Sequence, residues 1–158
     1  MDRYVSIEVN VLLEKAMPPR AGVPKLLKQL GLSRQTQECF WVIAYDSLMN
    51  VRNVVEVARG GYARVNVHYP AVYAAVLQVG CDRFQIAHNH PNGEPSPTAK
   101  DISLTRQVMD GANACGLYLE DHVIVTPNTS SYSFADAGIL IPAIYNGDIK
   151  EVAGRVRR

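Results

Sequence analysis

Apolar residues along the chain follow two rhythms. Cys39 to Tyr45 (CFWVIAY) is an unbroken apolar and aromatic run of strand length, the pattern of a strand covered on both faces. Asp46 to Asn50 supplies turn residues, and Val51 to Ala58 returns as a second strand that Gly60-Gly61 ends. From Tyr69 to Val79 the spacing changes: Val72, Ala75, Val76 and Val79 share one face of a helix that Gly80 stops. Arg83 to His88 alternates as a strand, and Asn89 to Pro97 (NHPNGEPSP) has the Pro, Gly and Asn content of an irregular loop. Thr98 opens a second helix with Ile102, Val108, Met109 and Ala112 on its buried face, ending at Gly116. Leu117 to Val125 (LYLEDHVIV) reads as a strand and Ser131 to Phe134 as a short one. The order β-β-α-β-α-β predicts a single α/β (α+β) domain built on a mixed sheet.

The two ends are less patterned. Residues 1–36 read as a short, partly helical leader, with a loop over Met17 to Gly22, then a helix from Lys25 to Leu30 that has Pro24 at its first turn and Gly31 as its stop. Residues 37–145 form the folded domain, and residues 146–158, carrying Lys150, Arg155, Arg157 and Arg158, a loosely held basic tail.

Composition narrows the function classes. With 158 residues, 47% apolar and 20% charged, the chain can bury a real core. Sixteen Lys+Arg against fifteen Asp+Glu leave a formal net charge of +1, which argues against a chain-wide electrostatic grip on nucleic acid or a membrane surface. Cys39, Cys81 and Cys115 include no CxxC pair, so reduced thiols are expected rather than a disulfide framework or a thiolate zinc site. No apolar run approaches the ~20 residues of a membrane span. The N-terminal MDRYVSIEVN lacks a signal-peptide pattern, and a cytoplasmic location is expected.

The chemistry concentrates at His88-Asn89-His90. Residues i and i+2 of a strand point to one side, so both imidazoles face a common point, and neutral imidazole is a good zinc ligand. The plain alternative is a pair of histidines that merely ends a strand. Thr98-Ala99-Lys100-Asp101 also has two readings. As structure it is a helix N-cap with a carboxylate at the third position. As chemistry, Asp101 completes a His-His-Asp set that leaves a fourth position for water, the pattern of a catalytic zinc. The candidate proton acceptor is Glu56 on the second strand, whose plain reading is an exposed strand carboxylate. Asp121-His122 is either a partner of a ligating imidazole or a structural pair. Trp41 belongs to the core, His68 to the turn before the first core helix, and Asn92-Gly93 to the loop bordering the site.

The run HNHPNGEPSPTAKD resembles the JAMM signature of JAB/MPN metalloproteases: His-x-His-Pro, six residues, Ser (here Thr98), two residues, Asp. The fuller likeness is to the RadC-like branch, in which AHNHPSG and PTPSxxDIxLTRxL are followed by LxDHxII and a later YSF. The chain reads AHNHPNGEPSPTAKDISLTRQVM, then LEDHVIV and SYSFADAG, a resemblance covering roughly residues 37 to 140.

That resemblance implies a JAB/MPN-type mixed sheet flanked by helices and one Zn2+ per chain held by His88, His90 and Asp101. It implies Glu56 as general acid/base and the Thr98 hydroxyl as a stabiliser of the oxyanion. Zinc would lower the pKa of its water from ~15.7 towards ~7, and Glu56 would pass that water's proton to the leaving amine. The implied enzyme is a metallopeptidase (hydrolase) cutting peptide or isopeptide bonds, with a peptide or ubiquitin-like protein as substrate. The family's DNA-repair label supplies the alternative, a repair or mobile-element RadC-type protein acting through DNA or a DNA-processing partner. The helix-hairpin-helix that RadC proteins carry for DNA has no counterpart in the short leader, and the charge balance predicts weak direct nucleic-acid binding. A zinc nucleoside deaminase would need a P-C-x-x-C segment, which the sequence lacks.

Overall fold

Strand β1 (Cys39–Tyr45) is buried along all seven residues, because it runs through the middle of a sheet covered on both faces. A computed structural model describes residues 19–60, 66–128, 130–141 and 148–149. Around β1 the chain forms α1 (Pro19–Gln29), a short 3-10 turn (Leu32–Arg34), β2 (Val51–Arg59), α2 (Tyr69–Leu77) and β3 (Arg83–Asn89). It continues through α3 (Ala99–Ala114), β4 (Tyr118–Val125), β5 (Ser131–Ser133), β6 (Leu140–Ile141) and β7 (Asp148–Ile149). The first five strands make a mixed sheet in the order β2-β1-β3-β4-β5, and β6 pairs with β7. Among the described strands only β3 and β4 run parallel, joined by α3 as the crossover that parallel neighbours require. This is the mixed-sheet α/β architecture expected from the pattern.

Alternation along β1 sorts the core into two layers. Phe40, Val42 and Ala44 face α2 and α3, with Val72, Val76, Ile102, Val108, Phe84 and Ile86 around them. Cys39, Trp41, Ile43 and Tyr45 face the opposite way, against Val23, Leu26, Leu27 and Leu32. The two core helices bury the side chains their spacing predicts, Val72, Ala75 and Val76 on α2 and Ile102, Val108, Met109 and Ala112 on α3. Where the helices meet, Gly111 is required, because a Cβ there would overlap the Tyr73 ring.

Two boundaries differ from expectation. Helix α1 begins at Pro19 and continues past Pro24, which omits one backbone hydrogen bond but does not end the helix. Its residues Leu26 and Leu27 are almost wholly buried beneath the sheet, so the core starts upstream of residue 37 and this part of the leader is structural. Of the expected basic tail, Asp148–Ile149 pairs with Leu140–Ile141. The expected loop over Met17 to Gly22 is helical from Pro19 on, and its first two residues, like the remainder of the tail, lie outside the described residues.

Candidate metal centre

Three pieces of chain converge at one end of the sheet. Strand β3 ends at Asn89 with His90 directly after it, and the i, i+2 relation puts the His88 and His90 imidazoles on the α3 side. Helix α3 starts there, capped by Thr98, whose hydroxyl accepts from the Asp101 backbone N–H at 3.2 Å. The Asp101 Oδ2 in turn accepts from the Thr98 backbone N–H at 2.6 Å and from its hydroxyl at 2.8 Å. This reciprocal cap fixes the carboxylate in the first helical turn. The third piece is Glu38, immediately before β1. Phe40 pairs with His88 in the antiparallel β1–β3 register, which carries Glu38 towards the end of β3.

Ligand atoms of Glu38, His88, His90 and Asp101 all lie within 4.8 Å of one another. The His88 and His90 Nε2 atoms are 2.9 Å apart. Asp101 Oδ1 is 3.2 Å from His88 Nε2, and its Oδ2 3.5 Å from His90 Nε2. Glu38 Oε1 stands 3.8 Å from His88 Nε2 with a side chain 39% exposed, whereas the His88 side chain is 2% exposed. The buried members thus sit behind a carboxylate that reaches solvent.

The donor set fits a metal cation. His90 Nδ1 lies 2.7 Å from the Glu94 carbonyl, which can only accept, so Nδ1 carries the proton and Nε2 offers a lone pair in the neutral ring. Imidazole nitrogens facing carboxylate oxygens at these distances need a positive charge among them. The same demand is visible in the proton equilibria. Burial opposes ionisation of Asp101, yet its contacts with His88 and His90 hold the carboxyl well below the usual carboxylate range. Burial likewise opposes charging of His90, but Asp101 and the Glu94 carbonyl raise its pKa above the ordinary value.

Of the residues singled out in the sequence, His88, His90 and Asp101 come together and Glu56 does not join them. Both Glu56 oxygens are taken by Arg59, whose Nε and second terminal nitrogen donate at 2.7 and 2.9 Å. Glu38 lies beside the imidazoles. The signal for it was topological: once β1 is known to run antiparallel to β3, the residue before β1 must lie beside the end of β3. Thr98 is at the site, but its hydroxyl proton goes to Asp101 Oδ2. His122 is wholly buried behind His88 and contacts it through Nε2 at 2.8 Å.

Asp121 points into the opposite layer of the sheet. Its carboxylate accepts from the His122 and Ala135 backbone N–H groups at 2.7 and 2.9 Å and from the Ser133 hydroxyl at 2.5 Å. Burial outweighs these bonds and pushes its pKa from 3.8 up to about 6. The folded chain therefore binds this proton more tightly than the unfolded chain. The stabilisation is complete below pH 3.8 and is lost as pH rises through about 6, a change of roughly 3 kcal/mol. Asp121→Asn keeps an acceptor for the two N–H groups and does not titrate. Urea unfolding with chelator present is expected to show the variant gaining roughly 2 kcal/mol on the native chain between pH 4 and pH 7. A difference independent of pH would show that folding leaves the Asp121 proton equilibrium unchanged.

A family model described as RadC-like JAB domain matches residues 21–139. Among curated relatives, a UPF0758 protein from Psychrobacter sp. (strain PRwf-1) is 34% identical over 117 residues, covering 74% of this chain and 51% of the relative. A UPF0758 protein from Trichodesmium erythraeum is 33% identical over 126 residues, covering 76% of this chain and 52% of the relative. One from Porphyromonas gingivalis is 30% identical over 104 residues, with 66% and 46% covered. The chain thus spans about half the length of the curated relatives it matches. Among the described residues no helix is long and apolar enough to cross a membrane. With three quarters of its length inside the family match, the chain belongs to the RadC-like JAB domain family.

Proposed function

We propose that the chain is a zinc-dependent hydrolase that cuts peptide or isopeptide bonds, with Glu38 rather than Glu56 as its proton carrier. The convergence of Glu38, His88, His90 and Asp101 carries this reading. His88, His90 and Asp101 would hold the ion, a nitrogen and oxygen set that suits zinc and leaves room in its coordination for water or substrate. Zinc bound there supplies Lewis acidity, the property that makes water acidic near neutral pH and polarises a carbonyl.

The chain's own residues do the remainder. Glu38 is the half-exposed carboxylate of the group, able to take a proton from the attacking water and return it to the leaving amine nitrogen. Glu56 would first have to break a two-point pairing with Arg59. Thr98 holds Asp101 in line through its hydroxyl, and its service to an oxyanion would require that proton to turn away from Oδ2. The buried imidazoles and Asp101 give the site a low-dielectric floor, where fixed charges act strongly.

Purified protein is expected to retain about one zinc per chain, and His90→Ala to lose most of it. A panel of peptide and isopeptide substrates assayed with and without chelator tests the activity. Metal binding with no turnover on any amide would leave a metal site without the hydrolase. Tight, salt-sensitive retention of random duplex DNA would instead favour the DNA-linked reading.

A further inference from the structure

Behind His88 runs a hydrogen-bonded chain that none of the assigned chemistry uses. His88 Nδ1 is 2.8 Å from His122 Nε2, His122 Nδ1 is 2.6 Å from the Thr105 hydroxyl, and that hydroxyl is 2.5 Å from the Asp101 carbonyl oxygen. All four residues are buried, with Thr105 and His122 at 0% exposure.

The direction of every bond follows from its far end. A carbonyl has no proton, so the single hydroxyl proton of Thr105 must go to Asp101 O. The Thr105 oxygen is then left only as an acceptor, so His122 carries its proton on Nδ1. The His122 Nε2 of that neutral ring is an acceptor as well, and His88 must donate to it from Nδ1. His88 is therefore the Nδ1–H tautomer, and its Nε2 lone pair faces His90, Asp101 and Glu38. Two aromatic neighbours hold the intermediate ring: Phe134 stacks on His122 at 4.5 Å between centroids, and Phe40 meets it edge-on at 6.0 Å.

We propose that Thr105 and His122 are positioning residues that lock His88 into the tautomer whose Nε2 faces the metal site. The inference rests on the metal-centre reading for its purpose, but not for its geometry. His90 reaches the same tautomer by a single bond to the Glu94 carbonyl. His88, deep beneath the sheet surface, has its tautomer set from the interior by a helix backbone carbonyl two side chains away. The device couples the two protein sources of ligands. Asp101 contributes its carboxylate to the site and its carbonyl to the relay, so the start of α3 orients both a ligand from the helix and a ligand from β3.

The relay is tested without catalysis by ¹⁵N NMR of the imidazoles in metal-free protein at mildly alkaline pH. His88 and His122 are each expected to show a protonated Nδ1 and an unprotonated Nε2. Thr105→Val keeps the side-chain shape but removes the hydroxyl, so His88 and His122 are expected to show mixed tautomers and zinc affinity to fall by about 10- to 100-fold. Thr105→Ser is expected to restore both readouts, which a packing role for the Thr105 methyl would not do. An Nε2-protonated His88 in the native chain would overturn the proposal. So would a Thr105→Val variant with native tautomers and native zinc affinity. Native protein that binds no zinc while showing the expected tautomers would overturn the metal-centre reading and leave the relay standing.

Discussion

Glu38→Gln is expected to lower amide hydrolysis by about 10²- to 10⁴-fold while zinc content stays near one per chain. The argument is one of shape and proton inventory. Gln has the length of Glu and still offers a carbonyl oxygen, but it cannot accept a proton from water and return it to an amine. Glu38 is the most exposed member of the group and the farthest from His88 Nε2, at 3.8 Å, so the other three residues retain the ion. Glu56→Gln is the matched control. It weakens the pairing with Arg59 near the surface, for which a loss of no more than about 1 kcal/mol and near-native turnover are expected. Steady-state kinetics with metal analysis on both variants settles the assignment. If Glu56→Gln abolishes turnover and Glu38→Gln does not, Glu38 is removed from the mechanism. If Glu38→Gln instead loses the metal, Glu38 is a ligand and not the proton carrier.

The place of Glu38 beside the imidazoles marks what the amino-acid pattern can and cannot carry. His88 and His90 were legible because a two-residue period on a strand puts side chains on one side, whatever the strand packs against. Asp101 was legible because Thr98 declares a helix start, and the first helical turn is rigid relative to its cap. Both inferences use distances of a few residues. Glu38 needs the pairing of β1 with β3, two strands separated in sequence by β2 and α2. No local rhythm encodes that neighbour. Glu56 takes its expected role from the family resemblance, and in the fold Arg59 pairs with it near a register irregularity between Phe40 and Trp41. Irregularities of this kind twist a strand locally and bring together side chains that strict alternation would separate. The relay was out of reach for the same reason as Glu38. Thr105 reads as one more residue on the buried face of α3, and only the parallel register of β3 with β4, which sets Ile86 opposite His122, places it beside the imidazoles.

Asn89→Ala is expected to destabilise the fold by about 3–5 kcal/mol and to lower turnover by about 10²-fold, with zinc retained. Asn89 lies between the two histidines of the candidate site but points to the other face of β3, where it is fully buried. Its Oδ1 accepts the Cys39 backbone N–H at 2.7 Å, and its Nδ2 donates to the Gln35 and Gln37 carbonyls at 3.0 and 2.9 Å. One side chain thereby fastens the segment that carries Glu38 to the strand that carries His88 and His90. Removing it strands the buried Cys39 N–H and takes a donor from the Gln35 and Gln37 carbonyls, which leaves the Glu38 segment held by its backbone bond to Gly60. The imidazoles stay where they are, because β3 is held by β1 and β4 and not by this amide. Asn89→Asp separates this clamp from a simple loss of volume. It preserves size and the acceptor for Cys39, yet faces two carbonyl oxygens with a carboxylate oxygen, so it is expected to be at least as damaging as alanine at neutral pH. The Asp variant should recover part of its stability below about pH 5, where a protonated carboxyl can donate to one of those carbonyls. Urea unfolding at two pH values, alongside turnover and metal content, reads all three consequences. A stable Asn89→Asp variant with native turnover would mean that Glu38 is positioned by its own strand and needs no tie to the histidine strand.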